Sequence, residues 1–385
     1  MNFLKKELEN IKNKGQYREL TYLKGSQNKY CSFEDKKVLL MASNNYLGLC
    51  DDERIKKVSK DAIDNYGVGS GGSRLTTGSY DIHKKLEEEI AILKNREAAL
   101  LFNTGYMANI GVITSICNKE WIIFSDEFNH ASIIDGCRLS GAKIVVYKHS
   151  DMKDLKQKVK LYKGAKRIII TDGVFSMDGD IAKLPDIIKI SKDNDIWVMV
   201  DDAHATGILG EKGSGTEEYF GLKGQVDIQV GTFSKALASE GGYVAGSYEL
   251  IEYLKNKARS FIYSTALSPI VVSAALKALY IIKKDNNLRK NLLNNSKWFQ
   301  EELKERGFCI LESETPIIPL LVGDEDKAMK FSKMLFEEGI FIPAIRPPSV
   351  PKDTSRLRIT LMATHIKEDL NFVLDKISYV FKKLK

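Results

Sequence analysis

The chain has 385 residues, 43% of them hydrophobic and 28% charged, with a formal net charge of +7. That is the balance of a folded globular protein and excludes a disordered or low-complexity chain. No apolar run reaches the roughly 18–20 residues of a membrane span, no interleaving of basic and aromatic residues points to nucleic acid, and Met1 to Lys14 lacks the apolar core of a signal peptide, so the expected location is cytoplasmic.

The length predicts more than one domain at ~150 residues each. The expected division is an N-terminal segment over 1–45, a large domain over 46–269 and a smaller one over 270–385. Arg54 to Tyr66 reads as a helix and Ser73 to Gly78 as a loop. Gly67, Gly69 and Gly72 satisfy G-x-G-x-x-G, but a dinucleotide fingerprint needs a strand before it and a helix after it, so the cluster is expected to be a flexible, substrate-facing loop. The apolar run Ala98–Phe102 leads into a helical pattern. Strands are predicted at Trp121–Ser125, Lys143–Tyr147, Arg167–Thr171, Ile196–Asp201, Val226–Gly231 and Gly242–Ala245. Helices are predicted between them at Ala131–Ser140, Met152–Tyr162 and Leu184–Asp193. This alternation predicts an α/β fold with a mostly parallel sheet covered on both faces. From Pro269 the pattern changes to one long helical region, Ile270 to Arg306, then a strand at Ile317–Val322, a helix at Lys327–Glu338 and a strand at Ile340–Ile342. A Pro-rich loop, a strand at Arg356–Leu361 and a helix at Lys367–Leu384 complete a smaller α+β unit.

The five cysteines are scattered without a C-x-x-C, and the five histidines lack metal-ligand spacing, so neither a disulfide framework nor a metal site is expected. The basic stretch Lys153 to Arg167 reads as a solvated helix face.

The chemistry concentrates at the predicted strand ends, where ligands of parallel sheets bind. One strand ends in Asp201-Asp202-Ala203-His204, another in Thr232-Phe233-Ser234-Lys235. A lysine amine beside a carboxylate is what pyridoxal phosphate (PLP) needs, the amine to form an imine and the carboxylate to keep the ring nitrogen protonated. The plainer reading of Lys235 is a strand-end lysine with its head in water. Asp202 is the more natural N-cap of the pair, which leaves Asp201 free for the ring. Thr232 and Ser234 supply hydroxyls for a phosphate, or simply make a turn. Gly105 opens a helix whose free N–H groups suit an anion, with Thr104 a candidate N-cap. His130 offers a flat ring for stacking, His204 a hydrogen bond to the phenolic oxygen, and Ser176 a hydroxyl in Asp172 to Gly179.

With these segments in order, the chain resembles the α-oxoamine synthase family of fold-type I PLP enzymes. The resemblance is carried by Asn45-Tyr46-Leu47-Gly48-Leu49, Gly69-Ser70-Gly71-Gly72-Ser73-Arg74, Asn129 to Ser132, Asp172 to Gly179, Asp201 to Gly207 and Thr232 to Lys235. It implies that Lys235 carries pyridoxal 5'-phosphate and later acts as base, and that Asp201 pairs with the ring nitrogen. It places His204 and Ser176 at the phenolic oxygen, His130 on the ring face, and Gly105, Tyr106, Thr232 and Ser234 at the phosphate. Ser264 and Thr265 would reach the partner's phosphate in a homodimer; without the resemblance they read as a helix cap. Arg358 would hold the amino-acid carboxylate. The run Ile345-Arg346-Pro347-Pro348 resembles the biotin-pathway branch, which implies L-alanine and pimeloyl-CoA or pimeloyl carrier protein as substrates. Arg346, and more weakly Arg18, would then meet the far carboxylate of the acyl chain. The alternatives are a branch joining glycine to acetyl-CoA, or a PLP-fold protein without turnover.

Overall fold

The computed structural model describes residues 2–33, 35–164 and 166–384. The chain begins with α1 (Asn2–Asn13), β1 (Leu23–Lys24), β2 (Tyr30–Phe33), β3 (Lys36–Leu40), α2 (Glu53–Tyr66) and α3 (Asp81–Lys94). The central part is β4 (Ala98–Phe102), α4 (Gly105–Ile116), β5 (Trp121–Asp126), α5 (Ala131–Ser140), β6 (Lys143–Tyr147), α6 (Met152–Leu161), β7 (Lys166–Asp172), α7 (Leu184–Asn194), β8 (Trp197–Asp201), α8 (Thr216–Tyr219), β9 (Ile228–Thr232) and β10 (Gly242–Gly246). Then follow α9 (Tyr248–Lys257), α10 (Arg259–Ile262), α11 (Pro269–Lys284), α12 (Asn287–Glu305), β11 (Ile317–Gly323), α13 (Glu325–Glu337), β12 (Ile340–Phe341), β13 (Ala344–Ile345), β14 (Ser355–Thr360) and α14 (Lys367–Lys383).

The central sheet runs β4-β10-β9-β8-β7-β5-β6 and is parallel except for β10, which is antiparallel to both neighbours. Its middle strands are apolar on both faces because helices cover both. One apolar cluster joins Ile123, Ile170 and Val230 to residues of α4, α5 and α9; another joins Phe124, Ile169 and Val198 to residues of α6 and α7. This is the reason such strands read as unbroken apolar runs and not as alternations. The sheet fixes the site because β5, β7, β8 and β9 end on the same edge, in Asp126, Asp172, Asp201 and Thr232.

A second sheet, β11-β14-β13, belongs to the C-terminal part, and a third joins β1, β2 and β3 to β12. The third was not expected, since β3 and β12 pair from opposite ends of the chain. Two further expectations need correction. The helical region from Ile270 to Arg306 is two helices: α11 ends with Asp285 as its C-cap, and the Asp285 carboxylate accepts from Asn287 N at 2.9 Å to restart the chain as α12. The Pro-rich loop contains β13, whose Ala344 and Ile345 pair with Leu357 and Arg356. The glycine cluster follows a helix and enters turns, as its flanks predicted.

Candidate active site

At the carboxyl edge of the central sheet lies a cavity of about 170 Å³. Its walls include Gly105, Asn109, His130, Ser132, Ser176, Asp201, His204, Thr232, Ser234 and Lys235. Nine of the expected residues, Tyr106 included, thus meet in one place, because β8, β9, α4 and α5 all begin or end there.

The anion end is built by α4. Thr104 is its N-cap, accepting from Met107 N at 3.0 Å, and the N–H groups of Gly105 and Tyr106 have no acceptor among the described residues. The helix comes this close to the sheet because Gly242 on β10 has no side chain; a Cβ there would lie 2.6 Å from Gly105 N. Thr232 Oγ1 and Ser234 Oγ stand 2.7 Å apart beside this helix end. Tyr106 contributes only its backbone, since its hydroxyl donates to Asp135.

At the other end, Asp201 is 4% exposed; its Oδ1 accepts from Ala203 N at 2.9 Å and its Oδ2 from Asn109 Nδ2 at 2.6 Å. Asp202 does not cap the turn that follows it. Its carboxylate pairs with Lys94 at 2.8 Å and accepts from the N–H and hydroxyl of Thr216 at the start of α8. Asp172 lies beside Asp201 in register and accepts from His130 N at 2.7 Å; burial and the Asp201 charge hold its pKa well above the usual carboxylate range. His204 Nδ1 shares a 2.6 Å hydrogen bond with the Tyr46 hydroxyl. Burial, helped by the positive charges of Lys235 and Arg358, pushes the His204 pKa well below 6.5, so its ring is neutral. Burial also lowers the Lys235 pKa, against the pull of Asp201 and Asp172, which favours the free amine a nucleophile or base needs.

Arg358 is buried, and three of its N–H groups are spent on Ser176 O, Thr360 Oγ1 and Asn44 Oδ1. The two that remain suffice for one carboxylate. A second hollow of about 470 Å³, walled by Phe128, Phe175, Met177, Pro348 and Val350, shares Ser176 with the first.

Other expected residues are not brought to this cavity. Arg346 donates to Gly15 O and lines neither hollow, because β13 ends just before it and turns its guanidinium toward the N-terminal segment. Arg18 is exposed and makes no hydrogen bond or ion pair among the described residues. Ser264 and Thr265 lie outside the cavity, and neither caps a helix: Ser264 Oγ and Thr265 O accept from Asn103, and the N-cap of α11 is Ser268. Sequence reasoning missed Tyr46, Asn109, Ser132 and Asp172, although Tyr46, Ser132 and Asp172 sit in segments it singled out.

The residues fit PLP. Beyond the amine, the carboxylate, the flat ring and the helix end, the wall holds Asn109 Oδ1, a buried acceptor without a partner among the described residues. The fold and site therefore define a PLP enzyme of fold type I. The chain belongs to the aminotransferase class I and II family, whose model matches residues 36–377, and within it to the α-oxoamine synthases.

It is 54% identical over 377 residues to the putative 8-amino-7-oxononanoate synthase of Acetivibrio thermocellus, covering 98% of this chain and 97% of that one. It is 51% identical to the 8-amino-7-oxononanoate synthase of Lysinibacillus sphaericus, over 99% and 98% of the two chains. Among solved structures, a serine palmitoyltransferase variant from S. paucimobilis, with a PLP–myriocin adduct bound, superposes with a TM-score of 0.94 at 29% identity, over 99% and 97% of the chains. The 8-amino-7-oxononanoate synthase from Francisella tularensis gives 0.79 at 30% identity, over 90% and 98%.

Proposed function

We propose that this chain condenses L-alanine with a pimeloyl thioester and releases CO2 and the thiol, forming 8-amino-7-oxononanoate, a step of biotin biosynthesis. The observation that carries this reading is the near-full-length identity of 54% and 51% to proteins of that name.

PLP, when bound, supplies a carbonyl that condenses with amines and an electron sink for charge released at the amino-acid Cα. Lys235 would carry it, Asp201 would face the ring nitrogen, His204 and Ser176 the phenolic oxygen, and His130 the ring. The α4 N-terminus, Thr232 and Ser234 would hold the phosphate. Arg358 binds the alanine carboxylate with its two unspent N–H groups. Lys235, its pKa lowered by burial, takes the alanine Cα proton. The Cα–C bond forms as the thioester C–S bond breaks and the thiol departs; the alanine carboxylate then leaves as CO2, and a proton returns to Cα. The second hollow, apolar along Phe128, Phe175, Met177 and Val350, gives the acyl chain its room. We read the protein as a cytoplasmic homodimer in which Ser264 and Thr265 serve the partner's phosphate site; both lie outside their own cavity, and Thr265 is exposed.

The test is purified, PLP-loaded protein given L-alanine or glycine with pimeloyl-CoA, pimeloyl carrier protein or acetyl-CoA, with products weighed by mass spectrometry. The expected product is 8-amino-7-oxononanoate from alanine and a pimeloyl donor. Preference for glycine and acetyl-CoA overturns the substrate assignment. Repeated turnover by Lys235→Ala overturns the role of the lysine.

A further inference from the structure

Two buried polar residues of the cavity wall together link Asp201 to His130. Asn109, on α4, donates from Nδ2 to Asp201 Oδ2 at 2.6 Å and to Ser132 Oγ at 2.8 Å. Ser132, on α5, lies 2.8 Å from His130 Nδ1, and its own N–H donates to the same nitrogen at 3.3 Å. Each of the two side chains is 1% exposed. The helices that carry them approach closely because Gly136 faces α4; a Cβ there would lie 3.0 Å from Ile113 Cδ1 and 3.4 Å from Asn109 O.

The direction of this chain of bonds is set at one end. Asn109 turns its NH2 and not its oxygen toward Asp201, whose carboxylate oxygen is the acceptor. The second amide hydrogen then goes to Ser132 Oγ. That hydroxyl, already accepting, has one hydrogen to give, and His130 Nδ1 is where it points. With two donors aimed at Nδ1, the neutral imidazole carries its proton on Nε2.

We propose that Asn109 and Ser132 are positioning residues that couple Asp201 to His130 and fix His130 as the Nε2–H tautomer. The proposal rests on Asp201 and His130 being cofactor contacts, and it adds how each is held. The carboxylate has its plane pinned by Ala203 N and Asn109, and the ring by Ser132 N and Oγ. The two groups that would meet opposite parts of one aromatic cofactor are thereby set in a common frame before it binds.

The test has two arms. In the cofactor-free protein, two-bond 1H–15N spectra of the five histidines, with His130→Gln supplying the assignment, are expected to show His130 as Nε2–H. Ser132→Ala should leave the fold intact by thermal unfolding while returning His130 to a mixture of tautomers. An Nδ1–H form in the parent, or an unchanged tautomer in Ser132→Ala, overturns the relay whatever the protein's substrates. In the second arm, PLP affinity is measured by absorbance titration for Asn109→Ala, His130→Ala and the double variant. Asn109→Ala is expected to weaken PLP about tenfold, and much less than that when His130 is already absent. Equal losses in the two backgrounds mean that the residues act independently and overturn the coupling.

Discussion

The Lys94 ammonium and the Asp202 carboxylate form an ion pair at 2.8 Å with side-chain exposures of 0% and 1%, one residue away from the carboxylate that lines the cavity. Lys94 also donates to Ser214 O and Asp202 accepts from Thr216, so the pair ties α3, the end of β8 and the start of α8 into one knot. Removing one partner leaves the other charge buried and unpaired, which costs about 3–5 kcal/mol. Lys94→Met is therefore expected to lower the unfolding free energy by that amount in urea titrations. Lys94→Met with Asp202→Leu should recover part of the loss; a double variant no more stable than the single one would sink this account.

Tyr46 holds His204 through a hydrogen bond at Nδ1. Burial keeps the Tyr46 hydroxyl protonated, with its pKa pushed up to about 12 against the pull of Arg358. Tyr46→Phe deletes one buried neutral hydrogen bond, worth about 0.5–1.5 kcal/mol. PLP affinity and kcat are expected to fall together by a few-fold, with the fold unchanged by circular dichroism. No change in either shows that the bond does not orient His204.

His149 gives a pH signature in stability. Burial works against its charge, but hydrogen bonds and charges from Asp126 and Asp180, at 2.9 and 3.0 Å, outweigh it and raise its pKa from 6.5 to about 10. A folded pKa above the unfolded one means the imidazolium stabilises fully below pH 6.5 and loses that contribution as pH rises to 10. Unfolding titrations at pH 6, 8 and 10 should show stability declining in the parent. The decline should be smaller in His149→Gln; equal slopes refute it.

Arg358 has two N–H groups to offer a substrate and three that hold it in place. Arg358→Lys keeps the charge but loses the fork. The KM for alanine is expected to rise at least about tenfold while the KM for the pimeloyl donor moves less than about twofold. A change confined to the acyl donor would move Arg358 to the other substrate.

Lys235 and Asp201 were legible in the sequence because each closes an apolar run with abrupt polarity, and buried parallel strands impose that pattern. Gly105 was legible for a related reason, as the opening of a helix after a strand. Asn109 and Ser132 were not: in a helix each passes for an ordinary polar residue, and its meaning arises from α4 packing on α5. Tyr46 was quoted as part of a segment but given no role, since its partner His204 is 158 positions away. Arg346 shows the converse limit. Its neighbours resemble a substrate-binding run, yet the short pairing of β13 with β14 precedes it, and its guanidinium goes to Gly15. The break between α11 and α12 was hidden because apolar spacing continues on both sides of Asp285.

The pairing of β3 with β12 and the bond from Arg358 to Asn44, 314 positions apart, have a consequence for the order in which the protein comes into being. A ribosome delivers the lysine, the aspartate and the helix end well before it delivers residue 358. The nascent chain thus acquires the proposed cofactor cradle early and the proposed amino-acid clamp late. A chain stalled or cleaved before β14 carries the cradle residues but lacks Arg358, the residue proposed to hold the alanine carboxylate.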